Sequence, residues 1–203
     1  MLLCDIGNTS YHFLRHTNDY KENVKTFNPK TIQETIYYIC VNVEVQKVLE
    51  TLDNWIDLSQ YVDKKNYYET MGVDRIFACE AIGDGVIVDA GSAITVDLVV
   101  TGSFKGGFIY PGVKAMRETY KRISPALDYP FNYKLDLSQM PKNSRDAISY
   151  GYLKTLHGEV VSHQKQIFLT GGDSQELLHI FPDAMVNAHL IFDGMKKVLT
   201  EVV

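Results

Sequence analysis

Apolar positions along the chain fall into two kinds of run. "MLLC" and "GVIVDAG" are near-continuous apolar stretches, each stopping at or near an aspartate, and they predict buried strands. "SYHFLRH" alternates weakly and predicts a hairpin partner for the first of them. "TIYYICVNV" is rich in β-branched and aromatic residues and predicts another strand. "AITVDLVV" and "SFKGGFIY", separated by Thr101-Gly102, predict a β-hairpin. "KQIFLTGGD" predicts a strand followed by a glycine turn. Helical spacing occurs in "VEVQKVLETL", in "GVDRIFACEAIG" between Gly72 and Gly83, and after Pro111, read as a first-turn residue, in "PGVKAMRETYKRIS". The longest helical pattern is "NSRDAISYGYLKTLHGEVVSHQ", with Asn143 or Ser144 as its N-cap; "SQELLHIF" and "DGMKKVLTEV" are further helices.

Strands and helices alternate, and one arrangement occurs twice. A strand, an Asp-x-Gly turn and a hairpin appear near residue 1 and again near residue 86. This predicts an α/β protein of two similar halves with a cleft between them, residues 1–84 and 85–203.

Composition narrows the class. The chain has 203 residues, 45% hydrophobic and 22% charged, as in an ordinary globular protein. A net charge of −5 argues against a nucleic-acid partner. No window approaches the roughly 18 apolar residues of a membrane span, and "MLLCD" is too short for a signal-peptide core, so the expected location is the cytoplasm. Cys4, Cys40 and Cys79 have neither zinc-site spacing nor an even count and are expected to be buried free thiols.

Three glycine turns carry candidate chemistry. In "DIGNT", Gly7 lets the backbone approach a phosphate, Asn8 and Thr9 add donors, and Asp5 is placed to serve a Mg²⁺ through water. An Asx-turn closing a hairpin is the plainer reading of this motif alone. "DAGSAITVD" repeats the pattern with Asp89 and Ser92, followed by Asp97, and "LTGGD" adds a third turn. Neither G-x-x-x-x-G-K-[ST] nor G-x-G-x-x-G is present, which disfavours Walker and Rossmann sites. In "GVDR", Asp74 and Arg75 open a helix. There the carboxylate can take a proton from a substrate hydroxyl and the guanidinium can hold a substrate carboxylate; a surface ion pair is the alternative. His12 and His16, four apart on a predicted strand, sit too far apart for a metal, and His157 and His163 do not converge on their helix. "KRISPALDYPFNYK" reads as a loop.

In this order, "DIGNT", "GVDR", "DAGSAITVD", "GGFIYPG" and "TGGD" resemble the type III pantothenate kinases of the actin-like and sugar-kinase-like ATPase superfamily, from Leu2 to about Met195. The resemblance implies two ribonuclease-H-like halves around an ATP cleft, a homodimer, and phosphoryl transfer from ATP to pantothenate with Mg²⁺ and a monovalent cation, K⁺ or NH₄⁺. It places Asp5, Ile6, Gly7, Asn8, Thr9, Ser10, Tyr11 and His12 in the ATP-phosphate loop, with Asp5 near Mg²⁺. It makes Asp74 the general base and Gly72, Val73 and Arg75 pantothenate contacts. Asp89 becomes the monovalent-cation ligand, Ser92 an ATP contact and Ser144 a pantothenate contact; both serines replace a family Thr and keep its hydroxyl. Two positions depart from the pattern. His12 stands where many members carry Lys. The tyrosine that precedes "GxDR" in the family is best matched by Tyr68, with Tyr67 and Tyr61 as alternatives. Family relatives described as accessory factors in transcription leave an ATP-binding regulatory protein on the same scaffold as a second expectation, and a kinase or phosphatase for another small molecule as a third.

Overall fold

The computed structural model describes residues 1–202. The chain divides into two compact units, Met1–Ile82 with the segment that begins at His189, and Gly83–Ala188.

The first unit is built on a five-stranded sheet of order β3-β2-β1-β4-β5. Its strands are β1 (Leu2–Ile6), β2 (Ser10–Arg15), β3 (Asn18–Asn23), β4 (Ile36–Cys40) and β5 (Trp55–Asp57). β1 pairs antiparallel with β2 and parallel with β4. The central strand is apolar at every position but Asp5 because both its faces are covered. Leu2, Cys4 and Ile6 join Tyr11, Phe13, Tyr38 and Trp55 in a core on one face. Leu3 joins Leu14, Ile39, Phe77, Phe192 and Met195 on the other. β3 is exposed along its whole length and reads "NDYKEN", a charged edge that discourages further strand pairing. That composition carries no strand signal, and the sequence reading missed it.

Three helices complete this unit: α1 (Val43–Leu49), α2 (Val73–Glu80) and α6 (Leu190–Val202). α2 and α6 cover the Leu3 face together. The sequence reading assigned 85–203 to the second half; instead, the C-terminal helix packs with the first. The reason is a glycine contact between the helices. A Cβ on Gly194 would fall 2.8 Å from the carbonyl carbon of Phe77, so only glycine permits the backbones this close.

The second unit repeats the first sheet's order as β8-β7-β6-β9-β10. Its strands are β6 (Gly85–Ala90), β7 (Ala93–Val100), β8 (Ser103–Pro111), β9 (Ile167–Thr170) and β10 (Met185–Val186). As in the first unit, a three-strand meander is extended by a parallel strand pair. Thr101 and Gly102 both have positive φ, 49° and 73°, as the expected two-residue turn between β7 and β8 requires. α3 (Val113–Ile123) starts later than expected: Gly112 is its N-cap, and Pro111 ends β8. α4 (Ser144–Ser162) is capped by Asn143, whose Oδ1 accepts from the Asp146 amide at 2.9 Å, which leaves Ser144 as the first helical residue. Of its buried residues, Tyr152, Leu153, Leu156 and Val160 pack on Val86, Val88, Ile94 and Val96. α5 (Ser174–Leu177) is a single turn, shorter than "SQELLHIF" suggested.

Candidate active site

Register places the first corner. Asp5 lies directly opposite His12 in the β1–β2 ladder, so both side chains share one face of the sheet. Asp5 stands two residues from Leu3 along β1 and so shares its face, the one that α2 and α6 cover. The turn between the strands is closed by the Gly7 amide donating to the Ser10 carbonyl at 3.0 Å. Asn8 and Thr9 stand exposed at its tip. Ile6 and Tyr11 are core residues, at 0% and 2% exposure, so a ligand at this loop meets their backbone and not their side chains.

The "GVDR" segment sits on the same unit. α2 packs its Phe77 against Leu3, Leu14 and Ile39, and its N-terminal turn carries Asp74 and Arg75. The Asp74 carboxylate folds back over the helix start and accepts from the Arg75 amide at 2.9 Å. Burial pushes this carboxyl above the usual carboxylate range; the Arg75 amide and the Arg75 charge only partly oppose the rise. Arg75 is itself buried, at 5% exposure. Its guanidinium donates to the Tyr68 hydroxyl and lies 5.7 Å from the centre of the Tyr68 ring. Tyr67 instead donates to Glu80 Oε1 at 2.8 Å. Of the three tyrosines weighed from sequence, Tyr68 is thus joined to Arg75. Val73 packs against the α2–α6 core as well as flanking Asp74.

Gly72 has a specific task here. A Cβ on it would lie 2.5 Å from Asp74 Oδ1, so the carboxylate occupies space that any other residue would fill. Gly72→Ala is expected to displace the carboxylate while leaving the fold alone, because the clashing atom ends a flexible side chain. Turnover should fall at least tenfold with Tm unchanged; equal turnover in a standard coupled assay would contradict this.

The second unit builds its own corner at the end of β6. Asp89 lies opposite Thr95 on β7 and beside Thr170 on β9. Gly171, at φ +84°, brings the "LTGGD" turn against this carboxylate, and a Cβ there would also meet the Ala90 carbonyl carbon at 2.7 Å. The Asp173 amide donates to the Ala90 carbonyl at 2.9 Å, and the Gly112 amide to the Ser92 carbonyl at 3.2 Å. Two of the three glycine turns singled out from sequence, "DAGS" and "TGGD", are therefore in contact, and "YPG" joins them. Ser92 is exposed. Ser144 is exposed at the start of α4 within this unit. Sequence reasoning missed Thr95: its Oγ1 is buried and has no hydrogen-bond partner among the described residues, on the same sheet face as Asp89. The signal available was its place two residues before Asp97 in "DAGSAITVD".

The thiols divide. Cys4 and Cys79 are buried; Cys40 is only half-buried, contrary to expectation, and its Sγ lies 3.2 Å from the Asn42 carbonyl, a thiol–carbonyl hydrogen bond. Among the described residues no helix is long and apolar enough to cross a membrane.

Two sheets of the same order, each with an aspartate one residue before the end of its central strand and a glycine turn beside it, define an α/β fold of the actin-like and sugar-kinase-like type. A 2-dehydro-3-deoxygalactonokinase-named protein of Sinorhizobium meliloti shares this fold, with a TM-score of 0.58 at 9% identity over 99% of this chain and 96% of that one. The family profile of type III pantothenate kinases matches residues 40–166, more than half of the chain. A type III pantothenate kinase of Sulfurimonas denitrificans is 59% identical over 98% of this chain and 97% of its own length. One from Wolinella succinogenes is 41% identical over 99% and 97%. A solved Campylobacter jejuni structure, described as a Baf family transcriptional activator, has a TM-score of 0.90 and 39% identity, covering 100% of this chain and 98% of that one. The chain belongs to the type III pantothenate kinase family.

Proposed function

We propose that this chain transfers the γ-phosphoryl group of ATP to the primary hydroxyl of pantothenate, giving 4'-phosphopantothenate in the first step of coenzyme A synthesis. The observation that carries this reading is the Asp74 carboxyl, raised by burial beside an Arg75–Tyr68 pair. A base poised above the ordinary carboxylate range takes a hydroxyl proton more readily than a solvated aspartate does. Arg75, with Tyr68 beside it, holds the pantothenate carboxylate, and Gly72 and Val73 complete the acceptor contacts of this unit. The pantothenate oxygen attacks the γ-phosphorus, its proton passes to Asp74, and the bond to the β–γ bridging oxygen breaks to release ADP. The turn from Asp5 to His12 holds the triphosphate.

Two ions fit these residues. Asp5 offers the hard oxygen that a water-bridged Mg²⁺ needs at a phosphate loop. A Mg²⁺ held there by Asp5 would neutralise charge on the triphosphate. At Asp89, the partnerless buried hydroxyl of Thr95 supplies a second oxygen on the same face, as a monovalent cation requires. Thr95→Val should therefore lose most of the rise in Tm that the wild-type protein shows when KCl replaces tetramethylammonium chloride. An equal rise in both proteins would remove Thr95 from the site.

The protein is read as a cytoplasmic homodimer acting on small molecules, with neither nucleic acid nor membrane as partner. The description of the C. jejuni neighbour favours one second reading, a regulator that binds ATP without turning it over. A panel of hydroxy acids offered with ATP, Mg²⁺ and K⁺, followed by ³¹P NMR, separates the two. Phosphorylated pantothenate supports the kinase, and nucleotide binding without product supports the regulator.

A further inference from the structure

The first unit holds a pair of histidines bridged by one carboxylate, and of these three residues the reaction above leaves Asp19 and His189 without a role. His12 Nε2, on β2, lies 2.7 Å from Asp19 Oδ2, on β3. The other oxygen of the same carboxylate lies 3.4 Å from Nε2 of His189, the residue before α6. Phe192, at 1% exposure, presents its ring to both imidazoles, with centroids 4.9 Å from His12 and 6.0 Å from His189. One carboxylate thus ties the hairpin edge to the start of the C-terminal helix, with His12 held between it and an aromatic wall.

A surface ion pair is the simpler account, and on energy alone it suffices. The Asp19 side chain is 41% exposed, and pairs at such sites add little stability. Position is what distinguishes this one. His12 is opposite Asp5 on the face where the phosphate loop turns. An imidazole with one nitrogen fixed on a carboxylate has a set ring orientation and tautomer. Such a ring is suited to a triphosphate oxygen in a way that a freely rotating one is not.

We propose that Asp19, itself steadied by His189, is a positioning residue that orients His12 toward the nucleotide phosphates. The ATP site then depends on two elements outside the "DIGNT" motif, the exposed β3 edge and the start of α6. This rests on the reading of the Asp5 turn as the ATP-phosphate loop.

The test compares wild type with Asp19→Asn, Asp19→Glu, His12→Ala and the His12→Ala/Asp19→Asn double variant. Each is assayed for KM of ATP, KM of pantothenate, kcat, Tm and direct binding of a fluorescent ATP analogue. Asp19→Asn should raise the KM for ATP and weaken analogue binding roughly tenfold. KM for pantothenate should stay within about twofold and Tm within about a degree, since an exposed pair adds little to stability. Asp19→Glu should recover part of the loss, and Asp19→Asn should add nothing once His12 is alanine. Unchanged ATP affinity in Asp19→Asn overturns the proposal. So does a full additive effect in the double variant, or a loss spread equally over both substrates with a falling Tm. Failure of the wild-type protein to bind the analogue at all would instead strike the assignment of the phosphate loop.

Discussion

Asp74→Asn is expected to fold as the wild type does and to lose turnover by about 10²- to 10⁴-fold, the usual contribution of a positioned general base. Asparagine keeps the size and the acceptor oxygen that meets the Arg75 amide at 2.9 Å, so the turn at the start of α2 survives. What is lost is the site for the hydroxyl proton. Stability should move the other way. Burial raises the Asp74 pKa in the folded state, so the fold favours the protonated carboxyl. Its contribution is full below the unfolded-state pKa and is lost as pH rises through the higher folded-state value. At neutral pH the ionised carboxylate is a net cost, and Asp74→Asn should melt at the same temperature as wild type or higher. Wild-type kcat/KM for pantothenate should fall on the acid side at a pH above the ordinary aspartate range, and that limb should vanish from the residual activity of the variant. A variant with low activity and a Tm several degrees lower would assign Asp74 to the fold instead.

Gly194→Ala is expected to be the most damaging single methyl in the first unit. The added carbon would lie 2.8 Å from the Phe77 carbonyl carbon and closer still to its oxygen, both of them backbone atoms. No rotamer change relieves a backbone clash, so α2 and α6 must separate. Overpacking of this kind costs about 1–3 kcal/mol. At this chain length 2 kcal/mol is a fall in Tm of roughly 4–8 °C. Activity should fall as well, because α2 carries Asp74 and Arg75 at its other end. A scanning-calorimetry Tm within a degree of wild type would mean that the two helices adjust without strain.

Much of this arrangement was legible in the residues. β1 and β6 are buried on both faces, so their apolar runs stand out, and the Thr101-Gly102 turn announces its hairpin through residues that accept positive φ. The five motifs in order pointed to the family that the profile and the relatives establish. The illegible parts are those set by distant partners or by too few residues. β3 is a charged edge, and β5 and β10 have three and two residues, too short for a period to emerge. No local pattern says that α6 returns to the first unit, because the cause is one glycine facing Phe77 across 117 positions. Within the site, Asp74 and Arg75 were readable as a pair, whereas the hydrogen bonds of Tyr67 to Glu80 and of Arg75 to Tyr68 become visible only in the fold. The Asp19 bridge between His12 and His189 and the partnerless Thr95 hydroxyl depend on cross-strand register, which becomes visible only once the strands are paired.

The most direct test of the whole account is ADP release by the purified protein with ATP, Mg²⁺ and K⁺, measured with and without pantothenate and paired with mass analysis of the product. The account predicts negligible ADP without pantothenate and, with it, one phosphorylated pantothenate for each ADP. ADP released at the same rate whether or not pantothenate is present, or none released in either case, would contradict it.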